Sequence, residues 1–241
     1  MASLNLLYQT EYRINDDVKV VIPTVGQVVD HEDEYYSLVT SFTAMPIDLM
    51  VQLDDLGINF EEITDYELFI LLFNGIRLQD TSLILKDLNL SSFILDCDED
   101  RKDLFLIDPA TGVKIDKAVY HQIAAVLRKI HHITKNIKRP GNEDARKYML
   151  QRAREKQKRA SRRKVDSYTE SLIVAMVNAS EFKYNYESVR DLTIYQFNRS
   201  VRQIVRKVDF DNKMVGIYTG NLDPKTISQD ELNWLVDKEK L

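Results

Sequence analysis

Residues that break helices are scarce in this sequence, which holds only 7 Gly and 5 Pro among its 241 residues. An all-β sandwich needs frequent turns, and turns are built mainly from residues of this kind. Apolar residues make up 44% of the chain, which is enough for a core and too many for a disordered protein. The composition therefore predicts a mainly α protein in which long helices form a bundle-like core.

Two segments predict a small β element beside these helices. Residues 12–22 alternate apolar and polar side chains before Pro23, which favours an N-terminal extended segment. Residues 83–115 contain two apolar runs with a Pro-Ala-Thr-Gly break at 109–112, and that break is typical of a hairpin turn. We therefore expect an α+β fold with an N-terminal extended segment and a β-hairpin insertion.

Several helix starts are marked by capping residues. Thr64 and Ser228 each lie three residues before a Glu, which is the spacing of a capping box. Asp116 precedes a run whose apolar residues recur at helical spacing. These signals predict helices after Thr64 and Asp116, and a final helix after Ser228 that carries Trp234.

Charge is distributed very unevenly along the chain. Residues 1–110 hold 22 Asp and Glu against 6 Lys and Arg, whereas residues 135–164 hold 13 Lys and Arg against 3 Asp and Glu. The formal net charge of the whole chain is only −5. An acidic front half and a basic middle can attract each other within one molecule or between copies, so this pattern bears on association.

The adjacent Pro140 and Gly141 mark the clearest breakpoint, and Asn142 beyond them is a suitable helix N-cap. We predict three parts on this basis. They are an acidic N-terminal α+β domain over residues 1–139, a basic helix or connector over 140–164, and a C-terminal helical subdomain over 165–241.

Residue patterns that carry catalysis or bind cofactors do not stand out. His131 and His132 are adjacent, so on a helix they point about 100° apart and cannot both bind one metal ion. Cys97 is the single cysteine and has no His or Asn beside it. No Gly-rich phosphate loop or dinucleotide fingerprint is present. We therefore expect a non-catalytic protein with no catalytic residues, no cofactor and no metal.

The chain also lacks the features of an exported or membrane protein. Its start has no basic segment followed by a long apolar core, and its longest apolar runs are too short to span a bilayer. A lone cysteine cannot form an internal disulfide, which favours folding in a reducing compartment. We expect no contact with a membrane.

The stretch RAREKQKRASRRK, residues 152–164, has eight positive side chains and one negative one. It could contact nucleic-acid phosphates, dock onto acidic protein, or form a solvated connector. The acidic chain around it and the lack of interleaved aromatic residues make nucleic acid the less favoured partner. The candidate partner-binding residues, for protein or nucleic acid, are Arg152, Arg154, Lys156, Lys158, Arg159, Arg162, Arg163 and Lys164.

Five segments of the chain carry a family resemblance: IPTVGQ at 22–27, FTAMPIDLMVQLDDLGINFEEITDYELF at 42–69, FKYNYESVRDLTIYQFNRSVRQI at 182–204, GIYTGNLDPK at 216–225 and LNW at 232–234. They resemble bacteriophage proteins encoded among tail-morphogenesis genes, specifically tail assembly chaperones of tailed phages that infect Gram-positive and gut bacteria. The resemblance extends from Ile22 to Trp234 but includes no motif with an attached chemical mechanism.

The resemblance implies a helical, non-catalytic protein in the host-cell cytoplasm that binds other phage structural proteins, namely the tape measure or tail-tube subunits. It also implies possible self-association. The chain is larger than short helical chaperones of this kind, so a minor tail component or another morphogenesis factor is an alternative. Nucleic-acid binding through the basic helix at 146–164 and modulation of a host system also stay open.

Overall fold

The computed structural model describes residues 5–98, 103–160, 167–229 and 231–235. The fold is mainly α with a small β element, as predicted. Within the described ranges the α-helices are α1 Val25–Asp30, α2 Glu32–Thr43, α3 Met50–Asp55, α4 Asp65–Ile76, α5 Ser82–Leu85, α6 Lys117–His131, α7 Glu143–Ala160, α8 Tyr168–Val177 and α9 Ile194–Tyr218. The strands are β1 Glu11–Arg13, β2 Lys19–Val21, β3 Ile94–Cys97, β4 Leu104–Ile107 and β5 Lys114–Ile115.

Both predicted β segments contain an antiparallel sheet, but the first part of the segment 83–115 is helical, with α5 followed by a 3-10 turn at Leu90–Ser92. β1 pairs with β2 in a two-stranded sheet, in which Tyr12 lies opposite Val20. β3, β4 and β5 form a three-stranded sheet in that order. The predicted turn at 109–112 joins β4 to β5, and Gly112 adopts the left-handed conformation, with φ of 75°, that this turn requires. The Asp108 carboxylate stabilises the turn by accepting a hydrogen bond of 2.6 Å from the Thr111 hydroxyl.

The core is centred on α2, α4 and α6. Phe69 of α4 is fully buried and lies with its ring centroid 5.1 Å from that of Phe42 and 4.7 Å from that of Tyr120. Tyr66 of α4 anchors the three-stranded sheet by donating a hydrogen bond of 2.7 Å to the Leu104 carbonyl. These aromatic contacts bind the helical layer to the sheet.

The core is shared between the front and the back of the chain. Ile194 and Phe197 at the start of α9 are buried in the same cluster as Phe42 and Phe69. The Val25 amide donates a hydrogen bond of 2.8 Å to the Leu192 carbonyl, so the N-terminal part of the chain and the segment before α9 are also joined through their backbones. The division at 139 and 165 stays a prediction about domain organisation, since one apolar cluster contains residues from both sides of it.

The capping signals predicted two helix starts correctly and one wrongly. Thr64 and Glu67 form a complete capping box, and the Asp116 carboxylate accepts a hydrogen bond of 2.8 Å from the Val119 amide. Ser228 accepts a bond from the Glu231 amide, but the described residues 231–235 form turns. There the Trp234 carbonyl accepts a hydrogen bond of 2.8 Å from the Gln203 side chain of α9, so this segment is positioned by a tertiary contact.

Replacing Phe69 with Ala should destabilise the fold strongly. The substitution leaves a cavity between Phe42 and Tyr120, and such changes cost roughly 3–5 kcal/mol. Denaturant unfolding followed by circular dichroism measures the free energy of unfolding. Leu78→Ala is the control, because Leu78 is 85% exposed and should change stability by less than about 0.5 kcal/mol. Equal effects of the two changes would contradict the assigned core.

His131 should make stability depend on pH. Burial against Tyr35, whose hydroxyl lies 2.9 Å from His131 Nε2, lowers the pKa of His131 from 6.5 to about 4. In this window the unfolded chain binds a proton that the folded chain does not, so stability should fall as the pH drops from 6.5 towards 4, by at most about 1.4 kcal/mol per pH unit. The test is to measure the free energy of unfolding of the wild type and of His131→Gln across this pH range. The variant should lose the part of the pH dependence that His131 contributes.

Candidate protein-interaction site

A buried carboxylate at the start of α4 links three parts of the chain. The Asp65 side chain is only 9% exposed, and the Lys135 ammonium lies 3.2 Å from its Oδ2 atom. Arg128 Nη2 and His121 Nδ1, both from α6, each lie 3.8 Å from the same oxygen. Cations therefore surround Asp65 from α6 and from the segment that follows it.

The surroundings of Asp65 indicate a structural role. Arg128 is itself buried and donates a hydrogen bond of 2.9 Å to the Thr43 carbonyl at the end of α2. Burial lowers the pKa of His121 despite the opposing charge of Asp65. Burial and the Asp65 charge together raise the pKa of Tyr120. The ion pairs of Asp65 and the hydrogen bond from Arg128 to Thr43 hold the exit from α6 in place. The Tyr120 hydroxyl and Arg128 Nε are buried there without a hydrogen-bond partner among the described residues.

The segment after α6 is held against the front of the chain in steps. Lys135 reaches Asp65, and the Asn136 side chain donates a hydrogen bond of 3.0 Å to Asp48. Asn142 then starts α7, as predicted, by accepting a bond of 2.8 Å from the Ala145 amide. These contacts set the position from which the basic helix begins.

α7 lies on α3, and the contact is made by opposite charges. Arg154 bridges two carboxylates, with Nη2 2.7 Å from Asp54 and Nη1 2.8 Å from Asp55. Both carboxylates raise the pKa of Arg154, with Asp55 contributing most. Arg146 approaches Asp54 at 3.8 Å, and Leu150 is the buried residue of α7. The basic middle of the chain is thus docked onto its own acidic front half.

An open depression of about 430 Å³ runs along the junction between α3 and α7. Its floor includes Leu150, and its rim carries charged side chains of both signs. The lining residues are Asp54, Lys147, Leu150, Gln151, Arg154, Glu155 and Lys158.

The rest of α7 presents a basic face to solvent. Arg152 is exposed and donates a hydrogen bond of 2.8 Å to the Tyr148 hydroxyl, while its guanidinium lies 5.6 Å from the centre of that ring. Lys156, Lys158 and Arg159 follow it and are exposed over the last turns of the helix. Arg152, Lys156 and Arg159 share one side of α7 by their spacing, and we call these three residues the basic face. Lys158 lies instead on the side of Arg154 and lines the depression at α3.

The predicted site residues therefore separate into three groups. The basic face carries three of them. Arg154 and Lys158 lie on the side of α7 that faces α3, where Arg154 binds Asp54 and Asp55. The other three lie outside the described residues; they are Arg162, Arg163 and Lys164.

Sequence analysis missed the docking partners of α7. Asp54 and Asp55 sit in a front half with many acidic residues, and no local pattern distinguishes them there. Leu150 is buried although it lies in a strongly charged segment, whereas Tyr148 on the same helix is 58% exposed. The signal that pointed to this contact was the opposite charge of the two segments.

Within the described ranges, no group of three His, Cys, Asp or Glu side chains could hold a metal ion. None of the helices in those ranges combines the length and apolar character that a bilayer span requires. Cys97 lies exposed at the end of β3.

The C-terminal part of the chain is similar to a known protein family. Residues 161–238, about a third of the chain, match the family model described as the YomV second domain. That family is phage-derived, so the match is consistent with a phage protein and does not point to tail assembly in particular. No curated protein and no solved structure matches the chain.

Removing the Arg154 side chain should loosen α7 without unfolding the protein. Arg154→Ala deletes both contacts to α3, and exposed ion pairs contribute little to global stability. Hydrogen exchange of the α7 amides should become several-fold faster, while exchange in α4 stays unchanged. Arg159→Ala removes the same charge from the exposed end of the helix and should have no such effect. Equal protection of α7 in both variants would show that Arg154 does not hold it.

Proposed function

We propose that this chain is a non-catalytic phage protein that acts through protein–protein contacts in tail assembly, as a tail assembly chaperone or a minor tail or morphogenesis factor. The observation that carries the contact part of the proposal is the basic face of α7. Its three cationic side chains are exposed on a helix whose other side is already occupied by α3. The tail-assembly part rests on the resemblance of the quoted segments, and the phage-derived family match supports a phage origin.

The geometry favours an acidic protein as the partner of the basic face. α7 already binds carboxylates in its own chain, because Arg154 holds Asp54 and Asp55 at hydrogen-bonding distance. The residues of the basic face offer cations of the same kind to carboxylates of another protein, on a different side of the helix. Complementary charge of this kind raises association rates and selects partners. The proposed partners are the tape measure or tail-tube proteins of the same phage, met in the host-cell cytoplasm.

Reversing the basic face should weaken this binding. Arg152→Glu, Lys156→Glu and Arg159→Glu together should lower affinity for the partner about tenfold or more, measured by calorimetry with purified tape-measure and tail-tube proteins. The matched control is Lys114→Glu, Lys183→Glu and Lys225→Glu, which changes the net charge equally at exposed positions elsewhere. Absence of wild-type binding to either protein, or equal weakening by both variants, would contradict the proposal.

Nucleic-acid binding is the second candidate, and the exposure of the basic face is the observation that favours it. Phosphate contacts would be independent of sequence and sensitive to salt. The aromatic residue beside the basic face is Tyr148, and its hydroxyl accepts a hydrogen bond from Arg152.

An electrophoretic shift with generic DNA and RNA separates the two candidates. Under the proposed function, the protein should bind neither nucleic acid at roughly 50 or 200 mM salt, the range over which phosphate contacts weaken steeply. Strong binding at the lower salt that disappears at the higher salt, and is lost in the α7 reversal variant but not in its control, would instead assign the basic face to nucleic acid.

A further inference from the structure

α9 extends well beyond the core in which it begins. It has 25 residues, which corresponds to a length of about 37 Å. Ile194 and Phe197 in its first turns are fully buried, and Val201 and Ile204 pack partly against the same core. Among the described residues after Phe197, none is fully buried. The distal half of the helix therefore projects past the body of the protein.

One side of this projecting half is covered by the chain that follows α9. Gln203 donates a hydrogen bond of 2.8 Å to the Trp234 carbonyl, and Lys213 pairs with Glu231 at 3.0 Å. Leu222 packs on Gly216, where a β-carbon would lie only 3.2 Å from the Leu222 Cβ atom. The returning chain thus occupies one face of the helix.

The opposite face of the same half is apolar and uncovered. Val205, Val208 and Val215 are 60%, 44% and 61% exposed, and Asn212 lies exposed between the last two. These four residues, the valine stripe, are spaced by three, four and three positions, so they share one side of the helix. The stripe lies on the same side of the helix as Phe197, Val201 and Ile204, which contact the core. The apolar side of α9 therefore extends beyond the part that the core covers.

The spacing and the residue types fit a helix-to-helix contact with a second copy. A seam of alternating three- and four-residue steps is the pattern with which paired helices interlock, and a single polar Asn in such a seam specifies register and oligomeric state. Asn212 in the middle of the seam identifies the partner. An apolar partner would leave its amide without a hydrogen bond, whereas the same amide from a second copy can both donate and accept.

The charges beside the valine stripe are already balanced within the helix. Lys213 lies 2.7 Å from Asp209, and Lys207 lies 2.6 Å from Asp211. These pairs remove the repulsion that two copies with like charges would otherwise feel. A contact made by this stripe would be small, below about 1,200 Å², which corresponds to a weak, concentration-dependent association.

We propose that the valine stripe of α9 is a homodimer contact in which Asn212 meets Asn212 of a second copy. It uses a surface different from the basic face of α7, so it does not depend on the proposed function. The dimer would join two chains through the region that matches the phage-derived family model.

Sedimentation equilibrium over a wide range of protein concentrations tests this contact. The wild type should change from a monomer of 28.1 kDa to a dimer as concentration rises. Val205→Lys with Val215→Lys should stay monomeric and stay folded, because both side chains are already exposed. The control Leu78→Lys places the same charge on an exposed apolar residue elsewhere and should dimerise like the wild type.

A disulfide test locates the contact independently. With Cys97 replaced by Ser, Asn212→Cys should form a dimer-linking disulfide under oxidised glutathione, whereas Lys225→Cys at an exposed position of the returning chain should not. Three results would overturn the proposal: a wild type that stays monomeric throughout, a double-lysine variant that dimerises normally, or equal cross-linking at both cysteine positions. The second of these would place any self-association on another surface.

Discussion

The position of the basic helix depends on the pairing of Asp65 with Arg128 and Lys135. Asp65 begins α4 in the core, Arg128 projects from α6, and Lys135 belongs to the segment that leaves α6. A buried carboxylate is stable only when it is paired, and removing one partner from a buried pair is commonly costly by about 3–5 kcal/mol. This cluster therefore directs the chain back over its acidic front half, where α7 meets α3.

This path brings the two oppositely charged segments into direct contact. Cations of the basic segment pair with Asp54, Asp55 and Asp65 of the same molecule, and the neutral Asn136 side chain donates a hydrogen bond to Asp48. What remains outside is a basic face on α7 and a valine stripe on α9. The opposite side of α7 is covered by α3, and the opposite side of α9 is covered by the chain that follows it. Each helix therefore has one exposed side on which a partner can bind. A protein built for assembly needs such faces more than it needs an enclosed pocket.

Much of the fold was predictable from short sequence patterns, because helix capping and turn formation involve residues only a few positions apart. Thr64 and Asp116 cap helices through side chains that reach the next turn, and the break at 109–112 forms a hairpin through a single left-handed glycine. The prediction of a final helix after Ser228 was wrong because that segment is positioned by a tertiary contact, in which Gln203 of α9 donates a hydrogen bond to the Trp234 carbonyl. The sites were harder to predict. Eight cationic residues were identified, but which of them turns inward depends on Asp54 and Asp55, nearly a hundred positions away.

The central claim is that the basic and acidic segments bind each other within one chain. A carbodiimide, which joins a lysine amine directly to a carboxylate, should link Lys135 to Asp65, because their atoms lie 3.2 Å apart. If light and isotopically heavy chains are mixed before cross-linking, mass spectrometry distinguishes links within a chain from links between chains. We predict Lys135–Asp65 links that are wholly light or wholly heavy. Mixed links at this pair, or no link at all, would contradict the account.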